Sequence, residues 1–563
     1  MDKSNLTNKR IQYIFIINAL SLAVLSIRFQ KMIFILSSVG ILLFYSIVYK
    51  NPLSIGSLCI SLTFLYTGPQ IGWLYIRGAH VATYTAEEIL DNGWPINATI
   101  RRSTPSTPLV HLHAILSSEI TDLPISPSTN GELLITAFLP IIYSLVSLLM
   151  AFLIIRRYIN INERYPSQYF LFIPALIWAP FFWTKPAFNR QSIGFLFFIS
   201  SAYILFRILK NNSWKLTVLA LIFTISTILG HDFASISLIL LMVAIYISVV
   251  WNRIVKNQFF ATNTIYVLLP LTIVLFISWI IIGGFGVERI SNAIIGITTD
   301  RLGSIISLLS NNGDQSPIPS EIGEPLEFTI FTIFQNLFSI FLYAFMIGVG
   351  ITGYVFNNTL RDEDSVWAKS VFIFGLFIGF ISIFSWITGT NAPDRVITYL
   401  VFVGGGIALL GYVQFENKLK KIPISNIVVI MLLCLSVSMI PLHIVSDSPP
   451  RYDQGETDQR FSKPLYATAD FIFIYSDKNI YGDENVEHVV GGKTGRLVNS
   501  HPQIILTGDV PNNGILVLQN YNEEYYFGTS VKYGSVGFIP NGFGSVRREN
   551  NKLYSSGDVS IYS

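Results

Sequence analysis

Charge is scarce in this chain, and it is missing from the interior of every long apolar run. Only 13% of residues are Asp, Glu, Lys or Arg, while 51% are hydrophobic. A soluble domain carries roughly 25% charge, so the composition belongs to the membrane class. The lack of ionisable groups within the runs also argues against ion-coupled transport, because such transporters keep them at mid-membrane for the coupling ion. Cysteine is nearly absent. Cys59 and Cys434 both fall inside apolar runs and read as small buried hydrophobes, and the polar regions hold none to form a disulfide. Familiar site signatures are missing too. There is no Gly-x-x-x-x-Gly-Lys-Ser/Thr loop, no Cys-x-x-Cys pair and no His-Glu-x-x-His, so ATP hydrolysis and a thiolate zinc site lack support. The net charge of +3 is small and spread between loops, and it points to no nucleic-acid surface.

What the chain does have is length of apolar sequence. A helix needs about 20 apolar residues to cross the hydrocarbon core. Runs at roughly 11–27, 32–49, 53–75, 133–155, 168–184, 191–208, 214–230, 233–251, 264–283, 328–355, 367–388, 394–414 and 424–442 predict a polytopic α-helical membrane protein of about 13 transmembrane helices. The first run follows Lys3, Lys9 and Arg10, as a signal peptide would. Ser26-Ile27-Arg28-Phe29 is not a small-residue cleavage site, however, and a retained first helix is expected. Basic residues collect in alternate connections: Arg156, Arg157 and Arg164; Arg207, Lys210 and Lys215; Arg253 and Lys256; Arg361 and Lys369; Lys418, Lys420 and Lys421. Cytoplasmic loops retain positive charge, so the N-terminus is expected in the cytoplasm and the large polar regions outside. The expected organisation is 1–75 N-terminal transmembrane helices, 76–132 a large outer loop, 133–445 a transmembrane core and 446–563 an extracytoplasmic C-terminal domain. The location is a cell membrane, crossed many times.

In the first outer loop, Thr85-Ala86-Glu87-Glu88 reads as a capping box and Asn92-Gly93 as the end of a short helix. A proline-containing segment, Ser103 to Pro108, leads into Leu109–Ile120, where Leu112, Ile115, Leu116 and Glu119 recur at helical spacing. That amphipathic stretch is expected to lie flat in the membrane interface. The connection at about 284–327 holds a second amphipathic stretch, Val287–Leu309. Beyond Pro441 the chain turns polar, with short strand-like runs at Phe471–Tyr475, Gly514–Leu518 and Tyr525–Phe527. Its last segment, Lys552–Tyr562, reads as a hairpin turning at Ser556-Gly557. These features predict a small β or α/β domain.

Three basic residues break the charge rule. Lys185, Arg190 and Arg395 lie on the expected outer side, where positive charge is normally depleted. One reason to keep them is an anionic lipid phosphate, with Arg making a forked contact and Lys a point charge. His231 can join them. The plainer account has Lys185 and Arg190 snorkelling to lipid headgroups, Asp394 pairing with Arg395, and Gly230-His231-Asp232 forming a helix end and turn. The first-loop carboxylates Glu87, Glu88 and Asp91, and more distantly Glu119 and Asp122, are candidate bases, since an inverting sugar transfer needs a carboxylate to take the acceptor's proton. Against that, capping explains Glu88, and Glu87 and Asp91 fit a solvated helix face. His111 and His113 are two apart and so point to different helix faces, against joint metal binding; His80 meets either only through folding.

Several short segments resemble the GT-C class of polytopic glycosyltransferases, particularly its archaeal and bacterial membrane members. Thr85–Trp94 (Thr-Ala-Glu-Glu-Ile-Leu-Asp-Asn-Gly-Trp) resembles a helix ending in Asn/Gly early in their first outer loop. Ser106–Leu123 resembles the interfacial segment that follows, with Asp122 in place of the usual Gly. Gly230-His231-Asp232, Pro393-Asp-Arg-Val-Ile-Thr-Tyr-Leu400 and the last hairpin resemble later signatures. The resemblance implies a polyprenyl-phosphate-linked sugar as donor, a first-loop acid as base, and transfer at the outer face to a glycan, lipid or protein acceptor. Arg395, Arg190, Lys185 and His231 would face the donor phosphate, and His80, His111 and His113 the acceptor side of the loop. Membrane lipid is the other partner. No organic cofactor is called for, and a divalent metal is left open. One departure matters: relatives carry an Asp before the first loop helix, and no acid stands here between Tyr75 and Ala86. Either Glu87 or Asp91 substitutes, or transfer has been lost. Two other functions share this architecture. An envelope-polysaccharide polymerase or ligase would favour a longer basic outer loop, but 284–327 holds only Arg289 and Arg301. A non-enzymatic glycan translocation or assembly factor needs no base at all.

Overall fold

The computed structural model describes residues 77–92, 108–125, 135–158, 190–211, 213–256, 263–282, 323–325, 362–387, 399–400, 463–483, 486–494, 498–499, 514–519, 526–530, 534–540, 551–556 and 559–563, with isolated positions 17–18, 21, 37–38, 41, 348, 496, 510, 513 and 522. The apolar runs at 11–27, 32–49, 53–75, 168–184, 328–355, 394–414 and 424–442 lie wholly or almost wholly outside them, as do Lys185, Arg395 and Val287–Leu309.

Two helices of the first polar loop come first, α1 (Arg77–Asn92) and α2 (Pro108–Thr121). Apolar helices follow: α3 (Ile135–Tyr158), α4 (Arg190–Lys210), α5 (Trp214–Gly230), α6 (Asp232–Lys256), α7 (Asn263–Ile282) and α8 (Asp362–Ile387). Among the described residues, Arg190–Leu209, Asp232–Val255 and Thr264–Ile281 are long and apolar enough to cross a membrane. The composition and these helices make the chain a polytopic helical membrane protein.

Several polar side chains inside the bundle are satisfied within their own helix, as a membrane interior favours. Ser200 donates to the Leu196 carbonyl, Ser248 to Ala244 and Thr272 to Leu268, each one turn back. Hydroxyls also tie helices together: Ser201 to Thr227 at 3.3 Å between α4 and α5, and Thr217 to Thr264 at 3.1 Å between α5 and α7. The tight α4–α5 turn works because Ser213 caps α5, accepting from the Leu216 amide at 3.3 Å.

The expected capping box is not a cap. The helix starts at Arg77, so Thr85 sits inside it and is fully buried. Packing explains the difference: Ala82, Ala86 and Ile89 form a buried stripe, and tertiary burial extends the helix well upstream of its best capping signal.

The C-terminal region is an α/β domain. Helix α9 (Lys463–Tyr475) precedes β2 (Asn479–Tyr481), a π-helical turn Glu487–Gly491 continued by Gly492–Thr494, β3 (Val498–Asn499) and β4 (Gly514–Gln519). Then come β5 (Tyr526–Ser530), β6 (Gly534–Pro540), β7 (Lys552–Ser556) and β8 (Val559–Tyr562). The main sheet has order β3-β2-β4-β8-β7, parallel among β2, β3 and β4 and antiparallel at β8 and β7. The closing hairpin is as expected. Phe471–Tyr475, read as a strand, is instead the end of α9. Its aromatic and β-branched residues are overridden by a helical stripe, Leu465, Tyr466, Ala469 and Ile472, that packs against Ile515, Val517 and Ile561. Arg496 closes this helix by donating to the carbonyls of Ile472, Ser476 and Lys478. A second sheet has order β1-β6-β5, in which β1 (Gly323–Pro325), from the 284–327 connection, pairs antiparallel with β6. Two polar regions far apart in sequence therefore lie on the same side of the protein.

Candidate active site at the loop end of the bundle

The first two turns of α4 are a meeting point. Ile193 is buried in a cluster with Ala82 and Ala86 of α1, Val110 and Ala114 of α2, and Leu139 and Tyr143 of α3. One residue on, Gly194 faces the α5–α6 turn. A Cβ there would stand 2.4 Å from the Cβ of His231 and 3.3 Å from that of Ala234, so only glycine lets the helix and turn approach this closely. Next, the rings of Phe195 and Phe198 lie 4.3 Å and 4.8 Å from that of Tyr399. Both loop helices, the α5–α6 turn and Tyr399 thus converge on one helix start.

That start bears Arg190, half-buried, and Gln191, which is 8% exposed. Among the described residues the Gln191 amide nitrogen finds no hydrogen-bond partner. A buried donor left unmade costs about 1–3 kcal/mol, and it stands beside a guanidinium and the first-turn amides of a helix, groups that suit an anion. His231 is buried, in extended conformation between the helices; its amide donates to the Thr227 carbonyl at 3.1 Å, and Ser235 donates to the carbonyls of both Thr227 and His231. Asp232 opens α6, where its charge favours the helix dipole. The turn-forming account of Gly230-His231-Asp232 therefore holds for its backbone, while the His231 ring lies beside the α4 start and stacks on Phe233 at 5.8 Å.

Helix α1 is held to α2 by His111, whose Nδ1 donates to the Ala82 carbonyl at 3.0 Å. Burial pushes the His111 imidazole down to about 4, against a smaller upward pull from that hydrogen bond. His113 turns the other way and meets the Tyr143 hydroxyl at 3.0 Å, and burial lowers it too. The two histidines serve different helix pairs, as their spacing predicts. Among the described residues no group of three or more His, Cys, Asp or Glu could hold a metal.

Of the candidate bases, Glu87 is half-buried on α1, one turn after the buried Tyr84. Glu88, Asp91 and His80 are described only as backbone positions of that helix. Glu119 is exposed on α2, in line with exposed Leu112, Leu116 and Ile120, the last 81% exposed, whereas Ile115 packs against the core. Asp122 takes a left-handed backbone (φ 55°) just past α2, with its amide donating to the Ser118 carbonyl at 2.8 Å. It is a helix terminator at a position that favours glycine.

Three further groups, Lys493, Asp470 and Tyr84, escaped the sequence reading. Lys493 of the C-terminal domain lies with its Nζ 5.8 Å from the centre of the Tyr84 ring and 3.8 Å from Asp470 Oδ1. Burial holds the Tyr84 phenol well above its usual range, and the nearby charges of Glu87 and Asp470 raise it further. The ion pair is partly exposed and by itself worth about 1 kcal/mol or less. No short-range pattern could reveal this contact, because its halves come from opposite ends of the chain.

No family model matches the chain, and no curated protein matches it by sequence. Among solved structures it is similar to ArnT from Cupriavidus metallidurans bound to undecaprenyl phosphate, at TM-score 0.46 and 9% identity over 90% of this chain and 97% of that one. It is also similar to the same protein in the apo state, at TM-score 0.43 and 8% identity over 86% and 93%.

Proposed function

We propose that this chain is a membrane glycosyltransferase that moves a sugar from a polyprenyl-phosphate-linked donor to an acceptor at the outer membrane face. The observation that carries the reading is the convergence on the α4 start of the loop helices, the His231 turn and Tyr399, beside Arg190 and the unbonded Gln191 amide. A group that binds an anion and a carboxylate base are the two things such a transfer needs within one site.

In this scheme Glu87 accepts the proton of the acceptor hydroxyl as its oxygen attacks the anomeric carbon. The bond from that carbon to the phosphate oxygen breaks, and its electron pair leaves with polyprenyl phosphate. Arg190, joined by Arg395, Lys185 and His231, stabilises the negative charge of the leaving phosphate. No nucleotide takes part, in keeping with the missing phosphate loop. Asp91 is the alternative base on the same helix.

Glycan analysis of the surface of cells lacking this gene tests the reading. A defined sugar is lost, and wild type restores it while Glu87→Gln and Arg190→Met do not. Unchanged glycans in the deletion strain would favour a non-enzymatic role in glycan translocation or assembly.

A further inference from the structure

The C-terminal domain meets the loop at one described place, where the turn ending in Thr494 lies against α1. Chemistry there is out of character for a packing contact. Tyr84, three residues before Glu87 and so on the same side of the helix, offers its ring to Lys493, and Lys493 also reaches Asp470 on α9. A carboxylate of the loop and a carboxylate of the domain thus flank one buried phenol, with a domain cation between the ring and Asp470. The opposite side of α1 is fixed by Ala82, Ala86 and the His111 hydrogen bond. Both sides of the helix that carries Glu87 are therefore held, one by the loop and one by the domain.

We propose that Lys493 is a positioning residue that clasps the C-terminal domain to α1 through the Tyr84 ring and Asp470, and so sets where Glu87 stands. The inference rests on the reading of Glu87 as the base. It makes the C-terminal domain a wall of the site rather than an appendage. Lys493 acts through the helix and touches no substrate.

The test uses the full chain in lipid nanodiscs, with amide hydrogen exchange as the first readout and surface-glycan yield in complemented cells as the second. With Lys493→Met, exchange across Arg77–Asn92 quickens about tenfold, as expected when a local contact is lost, while Gly514–Gln519 keeps its protection. Lys493→Arg, which keeps charge and ring contact, stays within about twofold of wild type. Glycan yield falls with Lys493→Met and is rescued by Lys493→Arg. Unchanged exchange in α1, or equal quickening in Gly514–Gln519, overturns the clasp; quickened exchange with full glycan yield overturns the positioning role. Exchange is read without any sugar transfer, and Glu87→Gln alone tests the base, so the two ideas fail separately.

Discussion

The two ends of the helical bundle differ in how they hold positive charge. At one end Arg207, Lys215 and Arg253 are exposed, and the hydroxyl of Tyr203, on the same helix as Arg207, accepts from it at 3.2 Å. The exception there is Lys369, which donates to the buried Asn252 at 2.6 Å and ties α8 to α6. At the other end two described cations are built in, Arg190 on a helix start beside a buried amide and Lys493 over a buried phenol, while Lys552 of the closing hairpin is exposed. Exposed charge on a loop sets orientation and costs little to move. Charge built into packing points to a ligand or a joint.

The largest effect that can break this contrast is chemical. Glu87→Gln is expected to slow sugar transfer by about a hundredfold or more, the usual worth of a positioned base, while Glu119→Gln on the exposed face of α2 leaves the rate within about twofold. Comparable losses in both would dissolve the distinction between the packed and exposed carboxylates.

A second effect is pH-dependent and belongs to the loop end alone. His111 is neutral in the folded protein down to about 4, whereas the unfolded chain protonates it near 6.5. Between those values the unfolded state binds the extra proton, so its contribution is whole above about pH 6.5 and declines toward pH 4, by up to about 3 kcal/mol. Denaturation followed by loop-helix exchange at pH 7 and pH 4.5 checks this. His111→Leu should flatten the slope.

Smaller still is a pair of identical substitutions. Gly194→Ala meets His231 and Ala234 and should destabilise by about 1–3 kcal/mol. Gly379→Ala, in α8 with nothing within 4 Å of the new methyl group, should instead stabilise by about 0.5–1 kcal/mol. Thermal unfolding of both variants separates them. Least of all, Arg207→Ala should shift stability by less than about 0.5 kcal/mol.

The described helices of the bundle are legible in the sequence because their signals are local. Apolar length placed α5 at 214–230, where the helix runs from Trp214 to Gly230, and set the neighbouring helices within a few residues of their observed ends. Turn chemistry placed the last hairpin. The errors came where burial overrides local preference: Thr85 looks like a cap but lies buried in mid-helix, and Phe471–Tyr475 looks like a strand but its helical stripe faces a sheet. The site was half legible. Short motifs named Glu87, Arg190 and His231, whereas Gln191 owes its interest to burial, and Lys493, Asp470 and Tyr84 to a contact between distant segments. Neither property is written in spacing.

The most direct measurement is the binding of polyprenyl phosphate to the full chain in nanodiscs, compared between Arg190→Met and Arg207→Met. The account predicts saturable binding that Arg190→Met weakens about tenfold, the worth of one charge-assisted hydrogen bond, and that Arg207→Met leaves unchanged. Equal weakening by both, or no saturable binding by wild type, would contradict it.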